Sequence, residues 1–589
     1  MVRRDGWGLD AAVAVALAAA IFAAWPTAHH YDDGAIYERF VAHAARGEWS
    51  TYDATQGPVA GMSGLLHGIA ASALARCGVA PLTALRGLNF AGTALVLFAL
   101  ARLCAEAGRA WRWGLAALAL VASPALATNL RQCLETPLHA GLALAGVALA
   151  MRGGSPRAVL ALAGALVWSK LDAAPLSALL AACAGAEEIR ERGVARALRT
   201  AGLWYALPVA GYVVATTWAF GSLLPHSAAV KLLVYARREG TPGMLSRWLT
   251  DPTRWALLAT ALACGAADAR GAWHRYRDPV AALRAALPLA ASACFGAVYA
   301  AYAPAEALPW YPALPEVMLA AQVAATAARW LASRRGRWTH APEVALLLAG
   351  ALVVPLGAEV RRMADVADAY AEVPRLVAVA RRHATPGEVL ATCMGLAARE
   401  WPGPVVDTCG INDRRVPPLR RAGLDPVEVL RPAWVLEAAA GRPGYELVAS
   451  GYEHTRHGWR AWRLLRRRED APPLHALRAD SVVEGYARRV AAVELRRIDG
   501  SLFVEGPRVR LRLPAGTARV VLGVERLPTV GTLRVAACGR SWRLPVGAAT
   551  RERRTAAVDV RAACGGAGEA AVTWEGGEAV TVVDPVAAP

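Results

Sequence analysis

Long apolar runs separated by short charged ones fill the first 360 or so residues, and the period then changes. Runs of helix-spanning length lie near 9–25, 84–104, 111–128, 136–151, 201–219, 254–269, 279–302, 309–332 and 342–357. Two shorter runs, 157–168 and 172–184, flank an interruption running from Ser169 through Lys170 and Leu171 to Asp172. A helix crosses the hydrocarbon core with about 20 apolar residues, so the pattern predicts a multi-span α-helical membrane domain over 1–358 with about 11 transmembrane helices. Segment 60–78 is apolar but broken by Gly61, Gly64, His67 and Gly68, and is placed as a juxtamembrane or re-entrant helix. Charge arbitrates that placement. With 60–78 in the interface, the arginine-rich loops at 109–112, 152–157, 187–199, 270–277 and 334–337 share the side of Arg3 and Arg4, as the positive-inside rule requires. Residues 28–83, 129–135, 220–253 and everything after 358 then face outward. A signal peptide also begins as Arg3 and Arg4 do, but no small-x-small cleavage site follows, so the first run reads as an uncleaved helix.

Beyond Gly357 the chain reads as an external α/β segment over 359–470, with short strands and helix-like stretches alternating. From 471 to 589 the alternation is strict, as at Arg508 to Leu513 and Arg519 to Val524, with Gly, Pro and Asp between runs. That is the pattern of an antiparallel β-sandwich.

Composition agrees with this division. The chain is 56% hydrophobic and 19% charged, more apolar and less charged than a soluble globule, and too apolar for disorder over most of its length. The net charge of +18 does not point to nucleic acid, because the basic residues lie in clusters between apolar runs and not on one soluble face. Of 65 basic residues only two are lysines, Lys170 and Lys231. Ten cysteines are present. Those in the spans read as small packing residues, Cys538 and Cys564 as a candidate disulfide of the external β-domain, and Cys393 and Cys409 as a second pair. No spacing resembles a zinc site.

Chemistry gathers outside the spans. Directly after the first helix come His29, His30, Tyr31, Asp32, Asp33 and Gly34. The two acids read either as a solvated cap on a following helix or as a catalytic pair at the membrane face, since adjacent carboxylates oppose joint ionisation when buried. Within about 30 residues follows a Gly-rich stretch from Gln56 to Leu66 that enters the interfacial helix.

This order resembles the GT-C glycosyltransferases, multi-span enzymes that use polyprenyl-phosphate sugars. The segment Cys133 to Leu138 is similar to the family's Gly-Leu-Glu-Thr-Pro-Leu, and Trp168 to Asp172 stands where relatives carry Thr-Arg-Pro-Asp or Arg-Pro-Glu. The segment Gly221 to Lys231 is similar to Gly-Ser-Leu-Leu-Pro-Asn-Thr followed by Ala-Lys, and Val405 to Asp413 to an external Asp-x-x-Gly-Leu-x-Asp stretch. The resemblance runs in order over roughly 9–465, and is strongest toward the mycobacterial-type arabinofuranosyltransferase branch, which also appends an external β-domain. Cys133 for Gly, Lys170-Leu171 for Arg-Pro and His226 for Asn depart from the pattern.

The resemblance implies an enzyme of the cytoplasmic membrane, multi-pass, its C-terminal domain outside. It would move a sugar, arabinofuranose in that branch, from a polyprenyl-phosphate donor to a cell-envelope glycan or glycolipid, with inversion. The β-domain would be carbohydrate-binding. One carboxylate takes the acceptor proton. Asp32 and Asp33 are the candidates, and the family's usage favours the first. The leaving phosphate needs positive charge beside it, for which Lys231, Arg131, Arg237, Arg238 and Lys170 are candidates. Glu135, His226 and Tyr311 are candidates to orient the acceptor. No cofactor is required; a divalent cation, if one takes part, falls to Asp33 and Glu135. Structural readings stand beside these: Glu135 as a helix N-terminal acid, Lys170 as the ion-pair partner of Asp172, and Tyr311 with Trp310 as an aromatic belt. The alternative function is a transporter or flippase of lipid-linked sugars, which predicts internal symmetry and mid-membrane sites. No repeat is present.

Overall fold

The computed structural model describes residues 7–24, 32–233, 252–302, 310–333, 372–421, 425–438, 444–455 and 458–469, together with eight strands between 503 and 588. The expected run at 342–357, and Cys538 and Cys564, lie outside the described residues. The chain divides into a helical unit (1–367 with 409–421) and a second unit (368–408 with 422–589).

The helical unit begins with α1 (Trp7–Ala24), α2 (Asp32–Ala45), α3 (Leu65–Arg76) and α4 (Pro81–Leu103). It continues with α5 (Arg109–Val121), α6 (Pro124–Asn129), α7 (Thr136–Met151), α8 (Pro156–Ser169) and α9 (Ala174–Arg192). Proline sets most of these starts, because its missing N–H falls where no intrahelical partner exists. It also corrects the expected run 111–128. Pro124 disfavours helical backbone at Ser123, whose φ of −120° and ψ of 67° break the run into α5 and α6. The segment 279–302 is likewise a bent pair, Pro279–Ala285 and Leu287–Ala300, meeting at 76°, with Pro288 unable to donate across the bend.

Among the described residues two helices are long and apolar enough to cross a membrane, Pro81–Leu103 and Val194–Phe220, and the bent pair makes a third. The count is smaller than expected because α1, α7 and α8 are apolar but short, and the helix Pro252–Tyr276 carries Arg254, Asp268 and Arg270. Segment 60–78 holds only the 12-residue α3, too short to cross.

Close packing fixes the helical core. Gly92 of α4 lies so near the start of α7 that an added Cβ would meet Leu138 N at 2.5 Å. Asp10 of α1, 1% exposed, pairs with Arg102 of α4 at 3.2 Å and Arg112 of α5 at 2.6 Å. One acid thus ties three helices at one end.

In the second unit a five-stranded sheet has the order β2-β1-β3-β5-β4. Here β1 is Leu390–Thr392, β2 Val405–Asp407, β3 Trp434–Glu437, β4 Tyr445–Thr455 and β5 Gly458–Arg467. The first pairings are parallel and the last two antiparallel. This is the α/β segment the sequence predicts. The eight later strands form two four-stranded antiparallel sheets.

Candidate active site

The first turn of α2 is Asp32 and Asp33, acids at the helix end where N–H dipoles favour them. Asp32 is 8% exposed and turned into the protein. Asp33 lines a cavity of about 300 Å³, a volume in the range of small-molecule sites. Of the two acids, Asp33 borders the cavity and Asp32 is not among its lining residues.

One turn after Asp33 stands Tyr37, whose O–H donates to Glu135 Oε2 at 2.7 Å. The Gly64 N–H donates back to the Tyr37 oxygen at 3.1 Å. Ser63 donates to Glu135 Oε1 at 2.8 Å, and the Lys170 ammonium approaches the same oxygen at 3.1 Å. Glu135 is the N-cap residue of α7 yet makes no side-chain cap bond; its carboxylate instead joins three other segments. Gly64 is required by this closeness, since a Cβ there would lie 2.5 Å from Glu135 Cβ.

Lys170 owes its place to a break in the helix. Its backbone is extended (φ −171°, ψ 135°) between α8 and a single 3₁₀ turn, Leu171–Ala173. From there its Nζ also meets Asp172 Oδ2 at 3.6 Å. Asp172 Oδ2 accepts from Tyr299 at 2.7 Å, and Asp172 Oδ1 faces His139 Nε2 at 3.3 Å. His139 is bonded through Nδ1 to Ser169 at 2.6 Å. The Tyr311 ring closes the group, 5.9 Å from the ammonium and edge-on to Tyr299.

The electrostatics follow from that geometry. Burial alone would raise the Glu135 carboxyl, but Lys170 and the Tyr37 and Ser63 hydroxyls outweigh it and bring it down to about 2. Burial, then the charge of Glu135, pushes the Tyr37 phenol well above its usual value, so it stays a neutral donor. Burial would lower the Lys170 ammonium; Asp172 and Glu135 more than reverse that. Lys170 is therefore held by two carboxylates inside the protein, which is its structural reading and leaves little of its charge for a phosphate.

The cavity is also bordered by Gly61, Leu224, Pro225, Ser227, Ala228 and Ile411. All the separate motifs thus reach one wall: the Asp pair, the Gly-rich stretch, the segments at 133–138, 168–172 and 221–231, and the Gly410 region. A clasp holds two of them together. The His226 N–H donates to Ala60 O at 2.9 Å, and its Nε2–H donates to Gly410 O at 3.0 Å. Arg415 grips Asp413 at 2.8 Å and reaches Asp53 at 3.5 Å. His226 is therefore a staple between loops, and is not among the cavity-lining residues. Arg131 likewise does not line the cavity; its guanidinium lies 5.0 Å from the centre of the Phe22 ring. Lys231 belongs to the helix His226–Leu233, one turn past the cavity residue Ser227. Arg237 and Arg238 lie outside the described residues.

No family model matches the chain, and no curated protein does. Among solved structures it is similar to ArnT from Cupriavidus metallidurans bound to undecaprenyl phosphate. That match has 14% identity and a TM-score of 0.46, over 80% of this chain and 100% of the other. ArnT in the apo state matches at 15% identity and a TM-score of 0.45, over 77% and 97%. Arabinosyltransferase EmbB from Mycobacterium smegmatis matches at 12% and 0.33, over 98% of this chain and 64% of its own. Likenesses this distant carry no chemistry to this chain; the cavity's own side chains do.

Tyr37 is a site residue absent from the sequence-based candidates, though its spacing carries a signal. Tyr37 is four positions after Asp33 and so shares its helix face. Cys133 has φ +60°, the left-handed backbone that glycine adopts freely. Cys133 holds this conformation at a cost of about 1–3 kcal/mol. Tyr299 has no such signal, since only folding brings residue 299 to residue 172.

Proposed function

We propose that the protein is an inverting, GT-C-like membrane glycosyltransferase that takes its sugar from a polyprenyl-phosphate donor. The observation that carries this reading is the meeting of six sequence-distant motifs on one cavity, with Asp33 at its edge. Asp33 acts as the base: it removes the acceptor hydroxyl proton as that oxygen attacks the anomeric carbon, and the bond from this carbon to the phosphate oxygen breaks. The phosphate leaves with both electrons of that bond, so it needs a cation but no proton. Lys231 supplies that cation, with Arg237 and Arg238 following it in the chain. Glu135, fixed in its ionised form, and Asp172 present the polar wall that orients sugar hydroxyls. Tyr311 and Tyr299 offer apolar ring faces.

The finer parts of the proposal follow the sequence resemblance. The donor sugar is arabinofuranose, the acceptor a cell-envelope glycan or glycolipid, and the site opens on the outer face of a multi-pass domain of about 11 spans. The C-terminal sheets grip the acceptor glycan. Transfer from a radiolabelled polyprenyl-phosphate sugar tests the reading. Asp33→Asn lowers the rate by about 10²–10⁴-fold, the usual worth of a general base, while Asp32→Asn keeps most of it. Full activity in Asp33→Asn sinks the assignment of the base, and full activity in both variants sinks the reaction.

A further inference from the structure

The helix Val194–Phe220 is 27 residues long, about 40 Å at 1.5 Å per residue. The hydrocarbon core takes about 30 Å, or 20 residues, which counted back from Phe220 end at Ala201. The first two turns, Val194–Ala201, therefore stand at headgroup depth, and Trp204, 42% exposed, sits just inside the boundary where aromatic side chains collect.

Those two turns, α10, present three faces. Ala197 and Thr200 are buried against the protein, with 4% and 7% exposure. Val194 and Leu198 form an apolar flank, 58% and 67% exposed. Arg196 and Arg199 point away from both, exposed. Of the nearby acids, Asp278 pairs with Arg190, Glu187 with Arg284, and Glu188 with Arg192 and Thr200, while Glu191 is exposed at the end of α9. Glu188, buried, thereby fixes the corner at which α10 leaves α9, where Gly193 turns the chain at φ +82°. Among the described residues Arg196 and Arg199 have no carboxylate partner.

A third arginine lies level with them along the neighbouring helix. Gly164 of α8 faces Trp204 O and Pro208, and four residues on, Trp168 bonds Pro208 O at 2.8 Å and meets Tyr212. The two helices thus run parallel in register. Extending that register back from Gly164 by seven residues sets Arg157, also exposed, level with Leu198 or Arg199.

We propose that Arg157, Arg196 and Arg199, with the flank of Val194 and Leu198, form a binding site for the headgroups of anionic phospholipids in the leaflet at that end of the helical unit. Leu198, within one turn of Ala201, meets the upper acyl carbons, and the arginines beside the flank take the phosphates at the same depth. Their fork of donors suits a phosphodiester. The site is separate from the cavity and stands or falls independently of the transferase reading; it rests on Val194–Phe220 being a span.

Native mass spectrometry of the full chain in detergent, titrated with phosphatidylglycerol or phosphatidylcholine, tests it. Phosphatidylglycerol is retained preferentially, and Arg196→Gln/Arg199→Gln weakens that retention by on the order of thirty-fold, about five-fold per arginine at a membrane surface. Arg381→Gln/Arg382→Gln, at exposed arginines of the helix Glu372–His383, leaves retention unchanged. Because the substituted arginines are exposed and unpaired, folding is not at stake, and Arg157→Gln alone gives a smaller loss of the same sign. Equal retention of the two lipids, equal retention by the double variant, or displacement of the lipid by millimolar inorganic phosphate each overturns the proposal.

Discussion

Replacing Lys170 by Met removes one ammonium of nearly the same length and leaves two carboxylates facing each other in a buried place. Lys170 is 12% exposed in its side chain, Glu135 5% and Asp172 13%, with contacts of 3.1 and 3.6 Å. Breaking a buried pair from one side costs about 3–5 kcal/mol, because the partner charge stays behind. A second route gives the same size. Holding Glu135 at about 2 against an ordinary 4.5 corresponds to roughly 3 kcal/mol of stabilisation at neutral pH. The sign of the pH dependence separates the two proteins. In the wild type the carboxyl is depressed, so its contribution is complete above about 4.5 and is lost as pH falls toward 2. Without Lys170, the largest lowering influence goes and burial raises the carboxyl, so protonation favours the folded state. The Lys170→Met variant therefore melts well below wild type at pH 7 and gains stability from pH 7 to 5, where wild type is flat in this respect. Thermal melting of the detergent-purified protein at both pH values reads this directly. A variant within about 1 kcal/mol of wild type and equally flat would refute the claim that Lys170 is the internal counter-ion of the site. Lys170→Arg keeps the charge but not the compact shape, and so retains most of the stability with reduced transfer.

Other substitutions probe the frame around the cavity. Arg415→Ala strips the guanidinium from Asp413 and Asp53, both nearly fully buried; since Arg415 is 37% exposed, the loss is about 1–3 kcal/mol, read as faster proteolysis between residues 50 and 63. Unchanged cleavage would show that the clasp holds without it. Gly92→Ala puts a methyl within 2.8 Å of the α7 backbone at three atoms, which cannot yield as a side-chain tip does. It costs about 1–3 kcal/mol or more, seen as a lower melting point, and a neutral result would mean that α4 and α7 are less closely apposed than 2.5 Å implies.

How much of this was legible in the residues differs by element. The change of character after Gly357, the short helix within 60–78 and the α/β pattern of 387–468 follow from hydrophobic period and length, which are local. The span count was less legible. Hydropathy sums over a window, so it reads through Pro124 and Pro288, where the missing N–H breaks the hydrogen-bond ladder and bends the run. Candidate residues divide in the same way. Asp33, Glu135, Lys170 and Tyr311 could be named because each sits in a recognisable pattern or is a charge in an apolar setting. Which acid of the Asp pair meets the cavity could not, since adjacent helix positions differ by about 100° and only packing chooses the inward one.

The sequence alone therefore determined a chain of apolar helices followed by an α/β and a β portion, and the segments where polar chemistry survives among apolar neighbours. Those are properties of composition and period, carried by each stretch independently. The tertiary structure decided the rest: that Lys170 spends its charge on Glu135 and Asp172, that His226 staples two loops, that Arg131 lies over the Phe22 ring, and that Tyr299 completes the site. The reason is physical. A charge in a low-dielectric interior takes its role from whatever group lies within about 4 Å, and across 127 residues of chain, as between Tyr299 and Asp172, only folding sets that distance.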